Sequence, residues 1–303
     1  MRELLDLLVL LFLFSSGCTL APKAAVPPLS GERAMEHVRA QVALGPRPPG
    51  SAALEKCRAY ITGQLRGYGY QVQVDEFEAA TPYGKKVMKN LIARKGISER
   101  EVVAIASHYE TKLMEGMEFV GANDPGSSVG LLIELARVLA EEKGPPDYWF
   151  VFLDGEEAFV DWSSFDSTYG SRHLARRWQQ DGTAGRIRAL ILLDMIGDKN
   201  LDILKESHST RWLSDLLWET AAKMGLQGIL SKYAGAVEDD HLPFLDVGIP
   251  SVDIIDLNYG PGNSFHHTTA DALDKVSPDS MEKVGQLVIA MLRELKAQSG
   301  ARK

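Results

Sequence analysis

Apolar residues along this chain recur first with the period of helices and then with the period of strands. Two amphipathic helices are predicted at the start, from about Gly31 to Ala43 and from Ser51 to Tyr68, separated by the breaker LGPRPPG. The segment YQVQVDEFEA alternates with period two, which predicts a half-exposed strand, and KNLIARK and EVVAIASH predict two more strands.

From residue 127 onward, predicted helices and strands alternate. The helices are SSVGLLIELARVLAEE, GSRHLARRWQQ, TRWLSDLLWETAAKMG and SPDSMEKVGQLVIAMLRELKAQ. The strands between them are the apolar runs DYWFVFLD, RALILLDMIG and IPSVDIIDL. This alternation indicates an α/β fold, a three-layer α/β/α sandwich around a mixed, mostly parallel sheet, with the antiparallel early strands at its edge.

Acidic and imidazole side chains follow the apolar strands, at the point where each strand ends, or precede a helix. They come from five separate segments and comprise His108, Asp124, Glu156, Glu157, Asp194, His266 and His267. In such sheets ligands bind beyond the carboxyl ends of the strands, so these side chains are expected to meet at one edge. Each residue alone would fit an ordinary cap or a solvated loop, and the prediction of a site depends on their convergence.

Histidine nitrogen and carboxylate oxygen are ligands of catalytic Zn²⁺, which keeps one position open for water or substrate. One histidine and two carboxylates would neutralise most of the charge of the ion and leave it a Lewis acid. Neighbouring side chains that leave a strand end point in different directions. One member of the pair Glu156 and Glu157 can therefore bind the cation while the other faces the substrate and moves a proton.

The composition is typical of one globular domain. The chain has 303 residues, 45% of them hydrophobic and 24% charged, and no Gly/Ser-rich or Pro-rich linker divides it after about residue 30. The net charge of −8 provides no basic surface, so nucleic acid is not expected as a partner.

The first 17 residues differ from the rest. The apolar run LLVLLFLF has the length of a secretory signal, and the following SSGC resembles a bacterial lipoprotein signal in which Cys18 becomes the lipidated N-terminus. A plain cleaved signal is the alternative. Residues 1–17 are predicted to be a signal peptide, residues 18–30 a flexible tether and residues 31–303 a single catalytic domain. The protein would then be exported to the cell envelope, with the lipid anchor as its only membrane contact.

The motifs at the predicted edge resemble those of peptidase family M28, whose members have a zinc exopeptidase fold, and within it those of the glutaminyl cyclases. They are SHYETK, GANDPGSSVGLLIELARVL, FLDGEEAFVDWSSFDSTYGSRHLA, LLDMIG, EDDHLPFLDVGIP and HTTADALDKV. The resemblance extends from about residue 32 to residue 296, nearly the whole of the predicted mature chain.

For a glutaminyl cyclase, the resemblance implies one Zn²⁺ held by Asp124, Glu157 and His267, with Glu156 as general base and acid. The substrate would be the N-terminus of a peptide or protein, whose glutamine is converted to pyroglutamate with release of ammonia. Relatives carry a cis peptide bond after this aspartate, so a cis bond is expected between Asp124 and Pro125.

The same resemblance assigns residues around the metal. Asp194 and Asp239 would form an acidic hydrogen-bonded network near the general base, and Trp162 matches a tryptophan that lines the substrate pocket. Two positions depart from the family pattern. His266 stands where cyclases carry a tryptophan in the pocket wall, and Glu110 replaces the aspartate that would orient the preceding histidine on a second metal.

Two other functions remain open. A family M28 aminopeptidase would bind two Zn²⁺ ions, with Asp124 bridging them, His108 and Asp194 on one ion, and Glu157 and His267 on the other. The glutamate before Glu157 would then activate water. The third possibility is a catalytically inactive binding module, which the intact set of ligands disfavours.

Overall fold

The computed structural model describes residues 28–95, 101–144 and 146–301. The predicted signal peptide and the lipidation of Cys18 lie outside these ranges. Within them, no helix combines the length and the apolar character needed to span a bilayer.

Helices and strands alternate through most of the described residues. The helices are α1 (Gly31–Val42), α2 (Ala52–Gly67), α3 (Gly126–Leu139), α4 (Tyr169–Gln180), α5 (Arg211–Lys223), α6 (His241–Asp246) and α7 (Pro278–Ala301). The strands are β1 (Gln71–Thr81), β2 (Gly84–Arg94), β3 (Val102–His108), β4 (Asp147–Leu153), β5 (Ile187–Asp194), β6 (Ile203–Glu206), β7 (Leu230–Gly235) and β8 (Ser251–Ile255).

Six strands form the central sheet, in the order β1-β2-β4-β3-β5-β8. The β1–β2 hairpin and the β2–β4 pair are antiparallel, whereas β4–β3, β3–β5 and β5–β8 are parallel. Every residue of β3 is buried, because strands at the centre of such a sheet are covered on both faces. The predicted mixed, mostly parallel sheet with antiparallel strands at one edge is confirmed.

Alternate residues of the central strands contribute to two separate cores. In β3, Val103 and Ile105 pack in one core, and Val102, Ala104 and Ala106 pack in the other. The first core also contains residues of α1, α2, α3, α5 and α7, and the second contains residues of α4 and α6. Helices therefore cover both faces of the sheet, and the predicted three-layer α/β/α sandwich is confirmed.

Three short elements were not predicted. Strands β6 and β7 pair in parallel as a separate two-stranded sheet, and α6 has six residues. Strand β6 has only four residues, and β7 has no buried residue. Neither strand therefore has the apolar alternation from which strands are predicted, and α6 is too short to show helical periodicity.

A buried arginine connects the end of α1 to the segment before α3. The guanidinium of Arg47 donates hydrogen bonds of 2.9–3.3 Å to the carbonyl oxygens of Gln41, Gly45, Val120 and Gly121. Arg47 is fully buried, so these carbonyl dipoles replace the water that would otherwise solvate its charge. This arrangement fixes the segment that leads into α3.

We expect Arg47→Met to lower the free energy of unfolding by about 3 kcal/mol, because it leaves buried carbonyl oxygens without donors. Chemical denaturation followed by circular dichroism measures this change. Arg39→Met is the matched control, since the side chain of Arg39 is 51% exposed on α1, and it should change stability by less than about 0.5 kcal/mol. Equal stability of the two variants would contradict the role given to Arg47.

Candidate functional site

The predicted site residues lie together at the carboxyl edge of the central sheet. His108 ends β3 and Asp194 ends β5, and the Glu156–Glu157 pair follows β4 after a short turn. A pocket of about 140 Å³ opens at this edge. Its lining includes these predicted residues: Asp124, Glu156, Glu157, Trp162, Asp194, Asp239, His266 and His267. His108 lies within 3.7 Å of three of them, Asp124, Glu156 and Asp194, so the structure brings the whole predicted set together.

One group of possible metal ligands surrounds His267. Its Nε2 atom lies 2.8 Å from Glu157 Oε1 and 3.3 Å from Asp124 Oδ2. Two ligands bound to the same zinc ion at about 2.0–2.2 Å are roughly 3–3.5 Å apart, so the distance to Asp124 suits a shared ion, whereas 2.8 Å is a hydrogen-bond distance. Among the described residues, Asp124, His266 and His267 offer three ligand atoms that lie within 4.8 Å of one another. His266 adjoins the group, with Nε2 3.9 Å from Asp124 Oδ2.

A second group surrounds His108. Its Nε2 atom lies 3.1 Å from Asp124 Oδ1 and 3.3 Å from Asp194 Oδ1. The two oxygens of Asp124 therefore face two different histidines, and Asp124 belongs to both groups. Burial raises the pKa of Asp124, but hydrogen bonds from His108 and His267 outweigh it and hold the pKa well below its ordinary value. The geometry accommodates one ion or two.

The chemistry of these side chains fits zinc. Imidazole and carboxylate are its preferred nitrogen and oxygen ligands, and one buried ligand atom, Asp124 Oδ2, has no hydrogen-bond partner of good geometry. Lys112 places one positive charge 3.2 Å from Glu157 Oε2. Five buried acidic side chains outnumber this one cation: Asp124, Glu156, Glu157, Asp194 and Asp239. A bound cation would neutralise this excess.

The turn that carries the glutamate pair is held by a third glutamate. Glu110 is fully buried, and its Oε1 accepts the backbone N–H groups of Glu156 at 2.5 Å and Glu157 at 3.2 Å. Glu110 stands where the family pattern has an aspartate, and its carboxylate comes no nearer than 3.8 Å to His108 Nδ1. Because that distance exceeds a hydrogen bond, Glu110 serves mainly to fix the glutamate pair.

The same turn requires a glycine. Gly155 has φ of +75°, and a Cβ atom at this position would lie 2.5 Å from Met88 Sδ. A residue with a side chain would therefore meet both backbone strain and a steric clash. The turn redirects the chain from β4 so that the following carboxylates enter the pocket.

The segment that carries Asp124 is held by another buried carboxylate. Asp271 accepts the backbone N–H groups of Asn123 at 2.7 Å and Asp124 at 3.1 Å, and it also accepts the hydroxyl of Tyr259 at 2.8 Å. Burial raises the pKa of Asp271 to about 7, and the charge of Asp124 contributes to the shift. The expected cis peptide bond between Asp124 and Pro125 is present.

Two residues of the site have backbone angles that are uncommon for residues with side chains. His267 has φ of +53°, and Met195, which follows Asp194, has φ of +50°. Such left-handed conformations cost about 1 kcal/mol or more and are concentrated at functional sites. Here one occurs at His267, whose ring faces Asp124, and the other occurs directly after Asp194, whose carboxylate faces His108.

Burial controls the ionisation of the remaining pocket carboxyls. It raises the pKa of Glu156 well above its ordinary value, while the charge of His108 opposes the shift and that of Glu157 reinforces it. It also raises the pKa of Asp239 to about 7, together with the charge of Asp194. Buried carboxyls with shifted pKa values are frequent where protons are exchanged during a reaction.

Asp194 and Asp239 both line the pocket, near Glu156, where an acidic network was predicted. The hydrogen bonds of the two aspartates connect them to His108 and to the backbone of Asp240 rather than to each other. Asp194 Oδ1 lies 3.3 Å from His108 Nε2, and Asp239 Oδ1 accepts the N–H of Asp240 at 2.5 Å. Their roles in chemistry stay predictions.

Trp162 stands at the entrance of the pocket, 37% exposed. Its Nε1–H donates to Glu238 Oε2 at 2.9 Å, which fixes the orientation of the indole. The loop that carries it is organised by Asp166, whose carboxylate accepts the N–H groups of three residues and the hydroxyl of Tyr169.

Several residues that shape the site were not assigned a role from the sequence. Lys112 lies within the motif SHYETK, Glu238 within EDDH and Asp271 within HTTADALDKV. The motifs therefore contained these residues, but their roles depend on contacts between distant segments. Only the folded arrangement shows which backbone or side-chain groups they meet.

Comparison with known proteins gives consistent results. Residues 90–292 match the model of a family described as Peptidase family M28. The glutaminyl-peptide cyclotransferase of Drosophila melanogaster is 30% identical over 271 residues, which cover 80% of this chain and 76% of that protein.

Solved structures show the same relationship. A glutaminyl cyclase of an Acidobacteriales bacterium is 41% identical, with a TM-score of 0.86 over 92% of this chain and 99% of that chain. A Zn-dependent exopeptidase of Parabacteroides distasonis is 27% identical, with a TM-score of 0.77 over 87% of this chain and 98% of that chain.

We expect Asp124→Ala to weaken zinc binding by about 100-fold or more, because it removes oxygens that face both histidines. Competition with a chelator of known affinity, together with the metal content of the purified protein, measures the effect. Asp215→Ala on α5 is the control and should bind zinc like the wild type, since its side chain is 49% exposed outside the site. Wild-type zinc affinity in Asp124→Ala would contradict this metal site.

Proposed function

The chain belongs to peptidase family M28, and we propose that it is a zinc-dependent glutaminyl-peptide cyclotransferase. The proposed substrate is a peptide or protein with an N-terminal glutamine, and the products are the pyroglutamyl peptide and ammonia. The comparisons confirm the predicted resemblance to glutaminyl cyclases and the prediction of an enzyme of this class.

One observation favours the cyclase over a peptidase within this family. The buried carboxyl of Asp239 lines the pocket together with Glu156 and Asp194, and the resemblance places a small residue at this position in the peptidases. The 41% identity to a glutaminyl cyclase over 92% of the chain agrees with this choice.

Asp124, Glu157 and His267 would hold the zinc ion, and the approach of His267 Nε2 to a carboxylate oxygen of each of the other two supports this assignment. When bound, zinc supplies a Lewis acid that polarises the side-chain amide carbonyl of the substrate glutamine. Glu156 lies in the same pocket, outside this ligand group, and its raised pKa suits a residue that exchanges protons.

In the proposed reaction, the α-amine of the substrate attacks its own side-chain amide carbon. Glu156 accepts a proton from that amine as the new C–N bond forms. It then delivers a proton to the amide nitrogen as the old C–N bond breaks, so that ammonia leaves. Because nucleophile and electrophile belong to one residue, the protein contributes mainly by holding them in the reactive geometry.

A zinc aminopeptidase is the second candidate function. It is favoured by the group of His108, Asp124 and Asp194, whose spacing would suit a second ion beside the first. The similarity to a Zn-dependent exopeptidase supports the same alternative. In that case Glu156 would activate a water molecule instead of the substrate amine.

Export belongs to the same proposal. The apolar run LLVLLFLF followed by SSGC supports secretion with lipidation at Cys18 and residence in the cell envelope. Substrates would then be the N-termini of exported peptides or proteins.

An assay on two peptides tests the reaction. We expect the purified, zinc-loaded protein to release ammonia and form pyroglutamate from a peptide that begins with glutamine. A peptide that begins with leucine should remain intact. Mass spectrometry and an ammonia assay measure the products, and removal of zinc by a chelator should abolish them. Release of free leucine would instead identify the aminopeptidase.

Glu156→Gln tests the proton transfer. We expect kcat to fall by about 10³-fold while the zinc content stays that of the wild type, because the amide keeps the shape of the side chain but cannot accept the proton. Glu219→Gln, at an exposed position on α5, should retain full activity. Substantial turnover by Glu156→Gln would show that another group is the base.

A further inference from the structure

A second cavity adjoins the pocket. It has a volume of about 500 Å³ and is here called the outer cleft. Trp162, Glu238 and Asp239 line both spaces, so the two adjoin at these residues, which form a shared wall. A peptide whose first residue occupies the inner pocket can pass its second residue over this wall into the outer cleft.

The outer cleft has acidic side chains at its surface. Glu238 and Asp246 line it and are exposed. Arg172 also lines it, but its guanidinium donates to carbonyl oxygens of the neighbouring loop, those of Ser164, Ser167 and Thr168. The guanidinium of Arg172 thus makes its hydrogen bonds within the protein. Asp246 and the second oxygen of Glu238, whose first oxygen accepts the indole N–H of Trp162, are left for a ligand.

The aromatic wall reinforces this preference. The indole of Trp162 is oriented by its hydrogen bond to Glu238, so a ring face and a carboxylate stand side by side at the boundary of the two spaces. A cationic side chain can lie against the ring and pair with the carboxylate at the same time. An acidic side chain at this place would meet two like charges.

A third cavity, of about 400 Å³, has Leu257 in common with the pocket and no lining residue in common with the outer cleft. Tyr233 lines this cavity and is 76% exposed. The outer cleft has three lining residues in common with the pocket, and the third cavity has one. The third cavity therefore provides a control position for experiments on substrate preference.

We infer that the outer cleft binds the second residue of the substrate and favours lysine or arginine there over glutamate or aspartate. Glu238 and Asp246 provide the charge and Trp162 the apolar face. This inference rests on the proposed cyclase activity and names the class of peptide on which that activity acts best.

The test compares three C-terminally amidated peptides, Gln-Lys-Ala, Gln-Ala-Ala and Gln-Glu-Ala, with the zinc-loaded wild-type protein. We expect kcat/KM for the lysine peptide to exceed that for the glutamate peptide by about tenfold, with the alanine peptide between them. The ratio should fall as ionic strength rises, because salt screens charges near the surface.

Matched variants locate the effect. Glu238→Gln keeps an acceptor for the indole of Trp162 and removes the charge, and Asp246→Asn removes the charge at the second position. Each should lower the lysine-to-glutamate ratio to about threefold, and the double variant should bring it close to one. Tyr233→Ala, in the third cavity, should keep the wild-type ratio.

The outcomes separate this inference from the function on which it rests. A wild-type ratio near one, or a tenfold ratio that persists in the double variant, overturns the outer cleft as the subsite while pyroglutamate formation still supports the cyclase. Absence of pyroglutamate from all three peptides overturns the proposed function and this inference with it.

Discussion

Mutual repulsion among buried carboxylates is the constraint on which the organisation of this site depends. The carboxyl groups converge at one edge of the sheet, in a medium where like charges repel more strongly than in water. Asp124 is central because its two oxygens face His108 and His267, which approach from different segments. The arrangement is consistent with an ion between these groups, and the surrounding structure holds the acids together against their repulsion.

That support comes repeatedly from a second set of carboxylates. Glu110 accepts the backbone N–H groups of the glutamate pair, and Asp271 accepts those of the segment that carries Asp124. Asp166 does the same for the loop of Trp162. In each case an acidic side chain binds the backbone of the segment that presents a functional residue. The positions of the reactive groups therefore depend on hydrogen bonds donated by backbone N–H groups. Every residue except proline has such a group, so most substitutions in these segments leave the donors in place.

The sequence predicted the parts of the fold that depend on long apolar patterns. The buried strands β3, β4 and β5 are continuous runs of apolar residues, and the polar residues that follow them lie at the sheet edge because parallel strands end on the same side. Strand β7 and helix α6 were missed because they are short and lack a clear periodicity. Glu238 and Trp162 form their hydrogen bond across 76 residues of chain, so nothing local in either segment predicts it.

The loop around Asp166 begins and ends at neighbouring points, since the carbonyl oxygens of Gly155 and Glu156 accept the N–H groups of Tyr169 and Thr168. Its internal hydrogen bonds converge on one carboxylate within the loop. The part of this loop that follows Glu157, from Phe159 to Thr168, can therefore change in sequence without replacing a metal ligand. New preferences among peptides can thus evolve on an unchanged catalytic scaffold.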